Sequence, residues 1–311
     1  MKIIFFGTSS FAIPSLQRLA RSGHQIVMVV TQPDREQGRH LEVKAPPVKE
    51  AATALGIEVF QPPKVSAPDA LERLRAAGAD LFVVVSFGQF LSESALALPR
   101  HGAVNLHASL LPKYRGAAPL NWAIINGERV TGVSVFRLEK KMDAGDIILD
   151  REVAIEERDT ALSLGEKLGA IGAEVLLETV VRIDTGSAMF RKQDSSQVTF
   201  APKLSKADGL IAWDSTAPQL HNRVRGLLPW PSAYTLFKGK ILKVLETNPL
   251  LCGNHDAVPG QVVGIEPGIG ILVKAGNGCL AIQRLQLEGA KPMGYSEFLR
   301  GHKIVVGDRL G

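Results

Sequence analysis

The chain has 311 residues, which is long for one domain and fits two, at about 100 to 200 residues per domain. Charged residues make up 22% and hydrophobic residues 45%, a balance that argues against long disordered stretches. The net charge is +5, and all of the excess lies beyond residue 202, where 13 lysines and arginines accompany 8 acidic residues. An excess of this size fits either a polyanionic partner such as nucleic acid or an ordinary solvated surface.

The two cysteines, Cys252 and Cys279, are too few for a disulfide framework and have no zinc-type spacing with histidines. They indicate a reduced compartment. The apolar opening of the chain is interrupted from Gly7 onward, so we predict a first strand there and not a signal peptide. The longest uncharged apolar stretch, residues 81–91, is shorter than the roughly 20 residues of a membrane-spanning helix. We expect a cytoplasmic protein with no membrane partner and no metal.

In the first half of the chain, short β-rich runs alternate with amphipathic segments. The strand candidates are residues 2–6, 25–31, 81–85, 103–106 and 131–138, and the helical patterns are residues 11–21, 47–55 and 69–77. Continuous apolar runs such as residues 81–85 are typical of strands covered on both faces. The alternation predicts an α/β domain with a doubly wound parallel sheet, whose ligands lie beyond the carboxyl ends of the strands.

The first strand continues into Gly7, Thr8, Ser9 and Ser10 and then a helix, an arrangement that also begins nucleotide-binding motifs. The three glycines of a dinucleotide fingerprint and the Lys-Ser/Thr pair of a P-loop are both missing. We therefore expect Ser9 or Ser10 to cap the helix, and we favour this over a nucleotide site.

Apolar residues recur at near-helical spacing from residue 164 to 183 and predict a long helix packed on the sheet. The polar run around Gln193 is interpreted as part of a linker. The later strand candidates, residues 233–237, 240–245, 261–265, 270–273 and 280–287, are separated by turn residues and predict a small OB-like β-barrel. The expected domains are residues 1–188 and 207–311, joined by a linker at 189–206.

Asn105 and His107 stand at the end of a predicted strand, where residues i and i+2 point to the same side. Each alone would be an ordinary turn or core residue, but together they can present an amide and an imidazole to one substrate atom. Asp143 follows the strand candidate at 131–138 in a glycine-containing loop and could approach the same crevice; its alternative is a turn-forming aspartate, the role that Asp146 fits better.

The set of an amide, an imidazole and a carboxylate has no cysteine or hydroxyl nucleophile beside it. Such a set suits direct transfer of a carbonyl group between two bound substrates. The amide and imidazole donate to a developing oxyanion, and the carboxylate handles protons.

A longer pattern surrounds these residues: Asn105-Leu-His107-Ala-Ser109-Leu-Leu-Pro112, then Tyr114-Arg115-Gly116, Pro119 and Asp143. This pattern resembles the signature of the folate-dependent formyltransferases. Further segments along the whole chain are similar to the same family: Phe5-x-Gly7-Thr8, Thr31-Gln-Pro-Asp34-Arg35, Lys203-Leu-Ser205-Lys206 and Pro229-Trp230-Pro231.

The resemblance implies a Rossmann-like N-terminal domain that binds 10-formyltetrahydrofolate and an OB-like C-terminal domain that helps to hold methionyl-initiator-tRNA. It gives the catalytic places to Asn105, His107 and Asp143. The residues that it implies for folate binding are Ser109, Leu110, Leu111, Pro112, Phe87, Gly88, Gln89, Phe90, Leu91 and the backbone around Met142. Apolar walls with backbone donors and acceptors suit a flat heteroaromatic ring.

For tRNA binding we predict Arg39, Lys44 and Lys206. By the resemblance, Arg39 matches a basic position in a loop that enters the acceptor-stem region of the tRNA; its alternative is a solvated loop residue. The loop around Arg39 departs from the family pattern, because acidic, apolar and histidine residues stand where the family is often proline, glycine or lysine. Phosphate contacts give much of any nucleic-acid affinity. We therefore expect tRNA binding to rely more on Lys44, Lys49 and the C-terminal domain, or to be weaker.

By the same resemblance, the α-amine of methionine on tRNA attacks the formyl carbon, Asn105 and a protonated His107 stabilise the oxyanion, and Asp143 moves the proton. Two other functions fit the same residues: formyl transfer to a nucleotide-sugar amine and hydrolysis of formyltetrahydrofolate. A third alternative is a noncatalytic RNA-binding protein on the same fold, which the intact set of Asn105, His107 and Asp143 disfavours. Since no long apolar helix or heptad seam is evident, we expect a monomer.

Overall fold

The computed structural model describes residues 1–37, 42–252 and 256–311. These residues form two compact units, each assembled from separate segments. The first comprises Met1–Pro119, Val130–Ala154 and Gly165–Ala201, and the second comprises Leu120–Arg129, Ile155–Leu164 and Pro202–Gly311. The domain limits predicted from the sequence stay predictions. The compact units differ from them in that two short segments, Leu120–Arg129 and Ile155–Leu164, belong with the C-terminal part.

Strands and helices alternate in the first half of the chain, and strands dominate the second half. The strands are β1 (Lys2–Gly7), β2 (Gln25–Val30), β3 (Arg35–Gln37), β4 (Glu42–Lys44), β5 (Val59–Phe60), β6 (Leu81–Val85), β7 (Ala103–His107), β8 (Arg115–Gly116), β9 (Val130–Arg137), β10 (Ile147–Ala154), β11 (Phe200–Ala201), β12 (Ala233–Phe237), β13 (Lys240–Leu250), β14 (Val262–Glu266), β15 (Gly270–Lys274), β16 (Cys279–Leu287) and β17 (Met293–Gly294). The helices are α1 (Ile13–Ala20), α2 (Pro47–Ala54), α3 (Pro68–Ala76), α4 (Glu93–Leu96), α5 (Pro119–Ile125), α6 (Ala161–Asp184), α7 (Ala217–Gly226) and α8 (Tyr295–Gly301). Short 3-10 turns cover Ser10–Ala12, Ser195–Gln197 and Lys206–Gly209.

The first unit is built on a seven-stranded sheet with the order β10-β9-β7-β6-β1-β2-β5. The strands from β7 to β5 are parallel, and β9 and β10 extend the sheet in antiparallel fashion. The predicted α/β class with a doubly wound parallel sheet is confirmed, because successive strands are laid first on one side of β1 and then on the other. The sequence did not predict β10 or the antiparallel edge.

The centre of this sheet is apolar, and the chain order reverses between β1 and β6. Phe6 on β1 packs against Phe82 and Phe87 with ring centroids 5.0 and 5.4 Å apart. Burying each such side chain stabilises the fold by about 1.5 to 3 kcal/mol. At the carboxyl ends of the two strands, the Thr8 N–H donates to the Ser86 carbonyl at 3.1 Å. This reversal is where ligands bind in sheets of this type.

The second unit contains an antiparallel sheet with the order β12-β13-β16-β15-β14, and β17 pairs with β16. β13 extends beyond its predicted end at residue 245 and includes Pro249, which pairs with Leu280. The register shifts on both sides of Glu246, and bulges of this kind bend a long strand. The predicted β-rich C-terminal domain is confirmed, whereas closure into an OB-like barrel stays a prediction.

α7 holds the two early segments that belong to the second unit. Asn121 donates through Nδ2 to the carbonyl of Gly226 at 2.8 Å. Arg225 donates through Nη1 to the carbonyls of Glu156 at 3.1 Å and Asp159 at 2.9 Å. These side-chain bonds to distant backbone explain why the unit is discontinuous in sequence.

The predicted capping of the first helix by Ser9 or Ser10 is wrong. α1 begins at Ile13 after a 3-10 turn, and neither element has a side-chain cap. Ser9 donates instead to the Ser86 hydroxyl at 2.8 Å. Pro14 in the first turn of α1 needs no hydrogen-bond acceptor for its nitrogen, which reduces the need for a cap.

Cys252 and Cys279 form a disulfide, contrary to the expectation of reduced cysteines. The bond joins the chain just after β13 to the start of β16, where Leu250 and Cys279 are paired in the sheet. A separate finding concerns membranes: in the described ranges, none of the helices is long and apolar enough to cross one.

Candidate active site

β7 places Asn105 and His107 on the face of the sheet that points away from α6. Leu106, between them, packs against α6, where a Cβ added to Gly172 would come within 2.8 Å of its side chain. His107 is buried, with 6% of its surface exposed. Asn105 is partly exposed, and its side-chain amide has no hydrogen-bond partner among the described residues. The amide is therefore available to a ligand.

The His107 ring is oriented by contacts on three sides. Its Nε2 lies 2.9 Å from the carbonyl oxygen of Tyr114, and because a carbonyl only accepts, Nε2 is the donor. The ring packs edge-on against Phe136 with centroids 6.4 Å apart. Its Nδ1 lies 3.8 Å from Oδ2 of Asp143, which is too long for a hydrogen bond but allows an ion pair when the imidazole is protonated. The ring thus presents Nδ1 to the carboxylate.

Asp143 lies in the loop between β9 and β10 and is itself held in place. Its Oδ2 accepts from the Gly116 N–H at 2.8 Å. Its backbone is left-handed, with φ of 49°, and Ser86 and Tyr114 share this conformation with φ of 49° and 60°. A left-handed backbone is strained in residues other than glycine. Such strain persists only where surrounding contacts hold the conformation, and strained residues cluster at functional sites. The structure brings together the three residues predicted to be catalytic.

The loop after β7 divides its predicted folate residues into two groups. Ser109 is fully buried, and its hydroxyl donates to a carbonyl of the same loop at 2.7 Å. Leu111 packs in a buried apolar cluster. Leu110 and Pro112 are partly exposed. The first pair supports the loop from behind, and the second pair is the one that a ligand can reach.

The loop after β6 carries most of the residues predicted for the pterin ring. Phe87 is buried in the core, and its carbonyl accepts from Thr8 Oγ1 at 2.7 Å. The remaining residues of the prediction are exposed or partly exposed: Gly88, Gln89, Phe90, Leu91 and Met142. Phe90 has 77% of its surface exposed, so its ring is free to stack on a flat ligand.

Of the residues predicted for tRNA binding, the structure describes Lys44 and Lys206. Arg39 lies outside the described residues. Lys44 is exposed on β4, with its ammonium 4.0 Å from a carboxylate oxygen of Glu42, and Lys206 is exposed in a 3-10 turn. Lys49 is paired with Asp34 at 2.6 Å, so its charge is partly neutralised.

Known proteins match the chain along its whole length. The family model described as formyl transferase matches residues 1–180, and the model of the formyl transferase C-terminal domain matches residues 203–303. The chain is 45% identical to methionyl-tRNA formyltransferase of Geobacter metallireducens, over 100% of this chain and 99% of that one. It is 44% identical to methionyl-tRNA formyltransferase of Caldanaerobacter subterraneus subsp. tengcongensis, over the full length of both. The chain belongs to the methionyl-tRNA formyltransferase family.

This family member also shares its fold with more distant enzymes. One is WlaRD, a sugar 3N-formyl transferase, whose crystal structure was determined in the presence of dTDP and 5-N-formyl-THF. The TM-score is 0.66 at 18% identity, over 94% of this chain and 99% of WlaRD. At 18% identity, this similarity shows a shared fold and nothing more. The evidence that the chain is a formyl-transferring enzyme is its membership of the methionyl-tRNA formyltransferase family.

Sequence reasoning missed the contacts that hold the loops of the candidate active site. Gln193 bonds both to Arg115 and to the backbone at Asp143. Thr199 accepts from the Tyr114 N–H at 2.8 Å, and β11 pairs with β8. Gln193, Thr199 and β11 follow α6 in the segment interpreted as a linker. Its polar composition carried no signal of the contacts, because the partners are distant in sequence.

A cavity of 480 Å³ opens at the other end of β7, where Ala103 begins the strand. Arg100, His101 and Arg137 contribute to its lining. Since His107 ends the same strand, this cavity is separate from the candidate site. Within residues 1–37, 42–252 and 256–311, no group of three or more His, Cys, Asp or Glu side chains is arranged to hold a metal ion.

Proposed function

We propose that the protein transfers the formyl group of 10-formyltetrahydrofolate to the α-amino group of methionyl-initiator-tRNA, in the cytoplasm, for translation initiation. The observation that carries the proposal is the grouping of Asn105, His107 and Asp143, with Nδ1 of the histidine 3.8 Å from the carboxylate. Formyl transfer needs hydrogen-bond donors and a proton acceptor, because its tetrahedral intermediate bears an oxyanion and the attacking amine must lose a proton. The 45% identity to a methionyl-tRNA formyltransferase supports the choice of substrates.

The reaction is a direct displacement. The neutral α-amine attacks the formyl carbon and forms a C–N bond, which gives a tetrahedral intermediate. The Asn105 amide donates to its oxyanion, and the His107 imidazolium donates through Nδ1, since Nε2 is held by the Tyr114 carbonyl. Asp143 moves the proton of the new ammonium toward N10 of the folate, directly or through water. The bond from the carbon to N10 then breaks and releases tetrahydrofolate, with no covalent enzyme intermediate.

The folate side of the proposal rests on two loops. The loop after β6 would hold the pterin beside the exposed Phe90, together with the backbone at Met142. Leu110 and Pro112, which are partly exposed, would line the rest of the molecule. The 5-N-formyl-THF in the crystal structure of WlaRD, which has the same fold, supports a formyl folate as the donor.

The tRNA side rests on positive charge. Beyond residue 202, lysines and arginines outnumber acidic residues by 13 to 8. Contacts of such side chains to phosphates provide much of the affinity for nucleic acid. We assign this role to Lys206 in the C-terminal part and to Lys44 and Arg39 in the N-terminal part. We expect one chain to act as a monomer.

The test combines the protein with 10-formyltetrahydrofolate labelled in the formyl group and methionyl-initiator-tRNA, and measures labelled formylmethionine. Asn105→Ala and His107→Ala should each lower turnover about 100-fold to 1000-fold, the usual loss for an oxyanion donor. Asp143→Ala should lower it about 100-fold to 10,000-fold, the usual contribution of a group that transfers a proton. Folate binding and thermal unfolding should stay nearly unchanged in all three. Asn248→Ala, at an exposed position on β13, is the control and should keep full turnover. Near-normal turnover of Asp143→Ala would remove that residue from the mechanism.

Parallel reactions with other acceptors separate the alternatives. In the first reaction, an amino-sugar nucleotide replaces the tRNA. The second reaction contains no acceptor, so that only the release of formate is measured. Faster transfer to the sugar amine, or faster hydrolysis, would reassign the function. Absence of all three reactions together with tRNA binding would favour a noncatalytic RNA-binding protein.

A further inference from the structure

Residues 191–201 are bound to the loops of the candidate active site at several points. Arg191 and Ile147 exchange both backbone hydrogen bonds at 2.8 Å. Thr199 Oγ1 accepts from the Tyr114 N–H at 2.8 Å, and β11 pairs in parallel with β8. The segment therefore contacts the loop whose Tyr114 carbonyl orients His107 and the start of β10, which directly follows the loop that carries Asp143.

Within this segment, Gln193 uses the whole hydrogen-bonding capacity of its amide. Its Oε1 accepts from Arg115 Nε at 3.2 Å and from Nη2 at 2.7 Å. Its Nε2 donates to the carbonyl of Asp143 at 2.9 Å and to that of Gly145 at 2.7 Å. A side-chain amide offers one oxygen with two lone pairs and two N–H donors, so all four positions are occupied.

Both partners of Gln193 need to be held. The guanidinium of Arg115 is buried, with 6% of the residue exposed, and a buried charge without an acceptor is costly. Asp143 has a left-handed backbone, which persists only where neighbours restrain it. Gly116, next to Arg115, donates its N–H to the Asp143 carboxylate. The backbone and the side chain of Asp143 are thus both tied to β8, and the backbone connection passes through Gln193.

We infer that Gln193 is a positioning residue, which holds the Asp143 carboxylate beside Nδ1 of His107. The inference rests on the proposed function, which gives Asp143 its role in proton transfer. Gln193 touches no reacting atom and acts through the loop. Loss of its two bonds to the carbonyls frees that loop, and a misplacement of about 1 Å at a catalytic group costs on the order of 100-fold in rate.

The test compares Gln193→Ala, Gln193→Glu and Gln197→Ala in formyl transfer. Both Gln193 variants should lower kcat about 10-fold to 100-fold, with KM for folate and tRNA changed less than about twofold. The glutamate keeps an acceptor for Arg115 but lacks both donors, so full kcat in Gln193→Glu would overturn the inference. Gln197 bonds to Asp194 at 3.0 Å on the surface, and its replacement should leave kcat unchanged.

A double-mutant cycle separates positioning from general support of the fold. In the Asp143→Ala background, Gln193→Ala should lower kcat no further, because the group that it positions is gone. A further loss as large as in the wild-type background would overturn the inference.

If the proposed function is wrong, the wild-type protein itself formylates no methionyl-tRNA, and this result differs from one that concerns Gln193 alone. The inference is then decided by nuclear magnetic resonance of the His107 ring nitrogens. At one fixed pH, their chemical shifts in Gln193→Ala should move from the wild-type values in the same direction as in Asp143→Ala. Chemical shifts identical to those of the wild-type protein would overturn the inference, whatever the substrate of the enzyme.

Discussion

Replacement of Gly116 by alanine would measure how closely β8 and β11 must approach for the proposed catalytic loop to work. A Cβ here would lie 2.6 Å from the Ala201 carbonyl oxygen, about 0.8 Å short of the 3.4 Å at which ordinary contact begins. The φ of 124° adds strain, because L side chains rarely adopt it. Ala201 is itself restrained, since its carbonyl accepts from the Ala117 N–H at 2.9 Å. β8 must therefore shift, and with it the N–H that binds the Asp143 carboxylate.

A shift approaching 1 Å at a catalytic carboxylate costs on the order of 100-fold in kcat/KM, which corresponds to about 2.7 kcal/mol of transition-state stabilisation. Initial rates of formyl transfer, with folate and tRNA varied separately, measure this loss. Gly56→Ala is the matched control, because Gly56 also has a positive φ, of 68°, but nothing lies within 4 Å of its added Cβ. The reasoning is refuted if Gly116→Ala keeps the kcat/KM of Gly56→Ala.

Three further predictions concern the second unit. Reduction of the bond between Cys252 and Cys279, which are 27 residues apart, should lower the free energy of unfolding by up to about 3 to 4 kcal/mol, as urea unfolding with and without dithiothreitol will measure. Burial, followed by the charge of Arg225, lowers the pKa of His221 from 6.5, so its contribution to stability is complete above pH 6.5 and is lost as the pH falls through the lowered pKa. His221→Gln should therefore flatten the acid decline of the thermal midpoint. Lys206→Ala should raise KM for tRNA selectively and reduce the salt slope of binding by about one.

Each of these predictions has an outcome that contradicts it. The effect of dithiothreitol should disappear in Cys252→Ser, and an equal effect there would show that the disulfide is not its cause. An acid decline of the same size in His221→Gln would remove the histidine from the explanation. Loss of activity with a small amine acceptor as large as the loss with tRNA would show that Lys206 does not act through tRNA.

The parallel sheet could be predicted because its signal is local. Leu81 to Val85 form an unbroken apolar run, and the structure buries this strand on both faces. α7 carried a local signal that was overlooked: Thr216 and Gln219 form a capping box, with Pro218 in the first turn. The direction of β9 and the existence of β10 depend on pairing between strands, which no local pattern specifies.

The candidate site was only partly predictable for the same reason. Asn105 and His107 follow from the two-residue period of a strand. The approach of Asp143 to the imidazole depends on the path of a loop whose carboxylate is held by the Gly116 N–H. Gln193 is 50 residues from Asp143 along the chain, so no spacing rule connects them. Similarly, a count of lysines cannot show that Lys49 is paired with Asp34.

The attachment of residues 191–201 to the loops of the candidate active site has a practical consequence for protein engineering. A fragment cut at residue 188, the predicted domain limit, would retain the central sheet and the three side chains proposed to be catalytic but lose Gln193, Thr199 and the partner strand of β8. We expect such a fragment to keep much of its affinity for folate but to lose most of its rate of formyl transfer. A fragment that is meant to be active must extend at least to Ala201. In a chimera between relatives, residues 191–201 and the loops that they contact must come from the same parent.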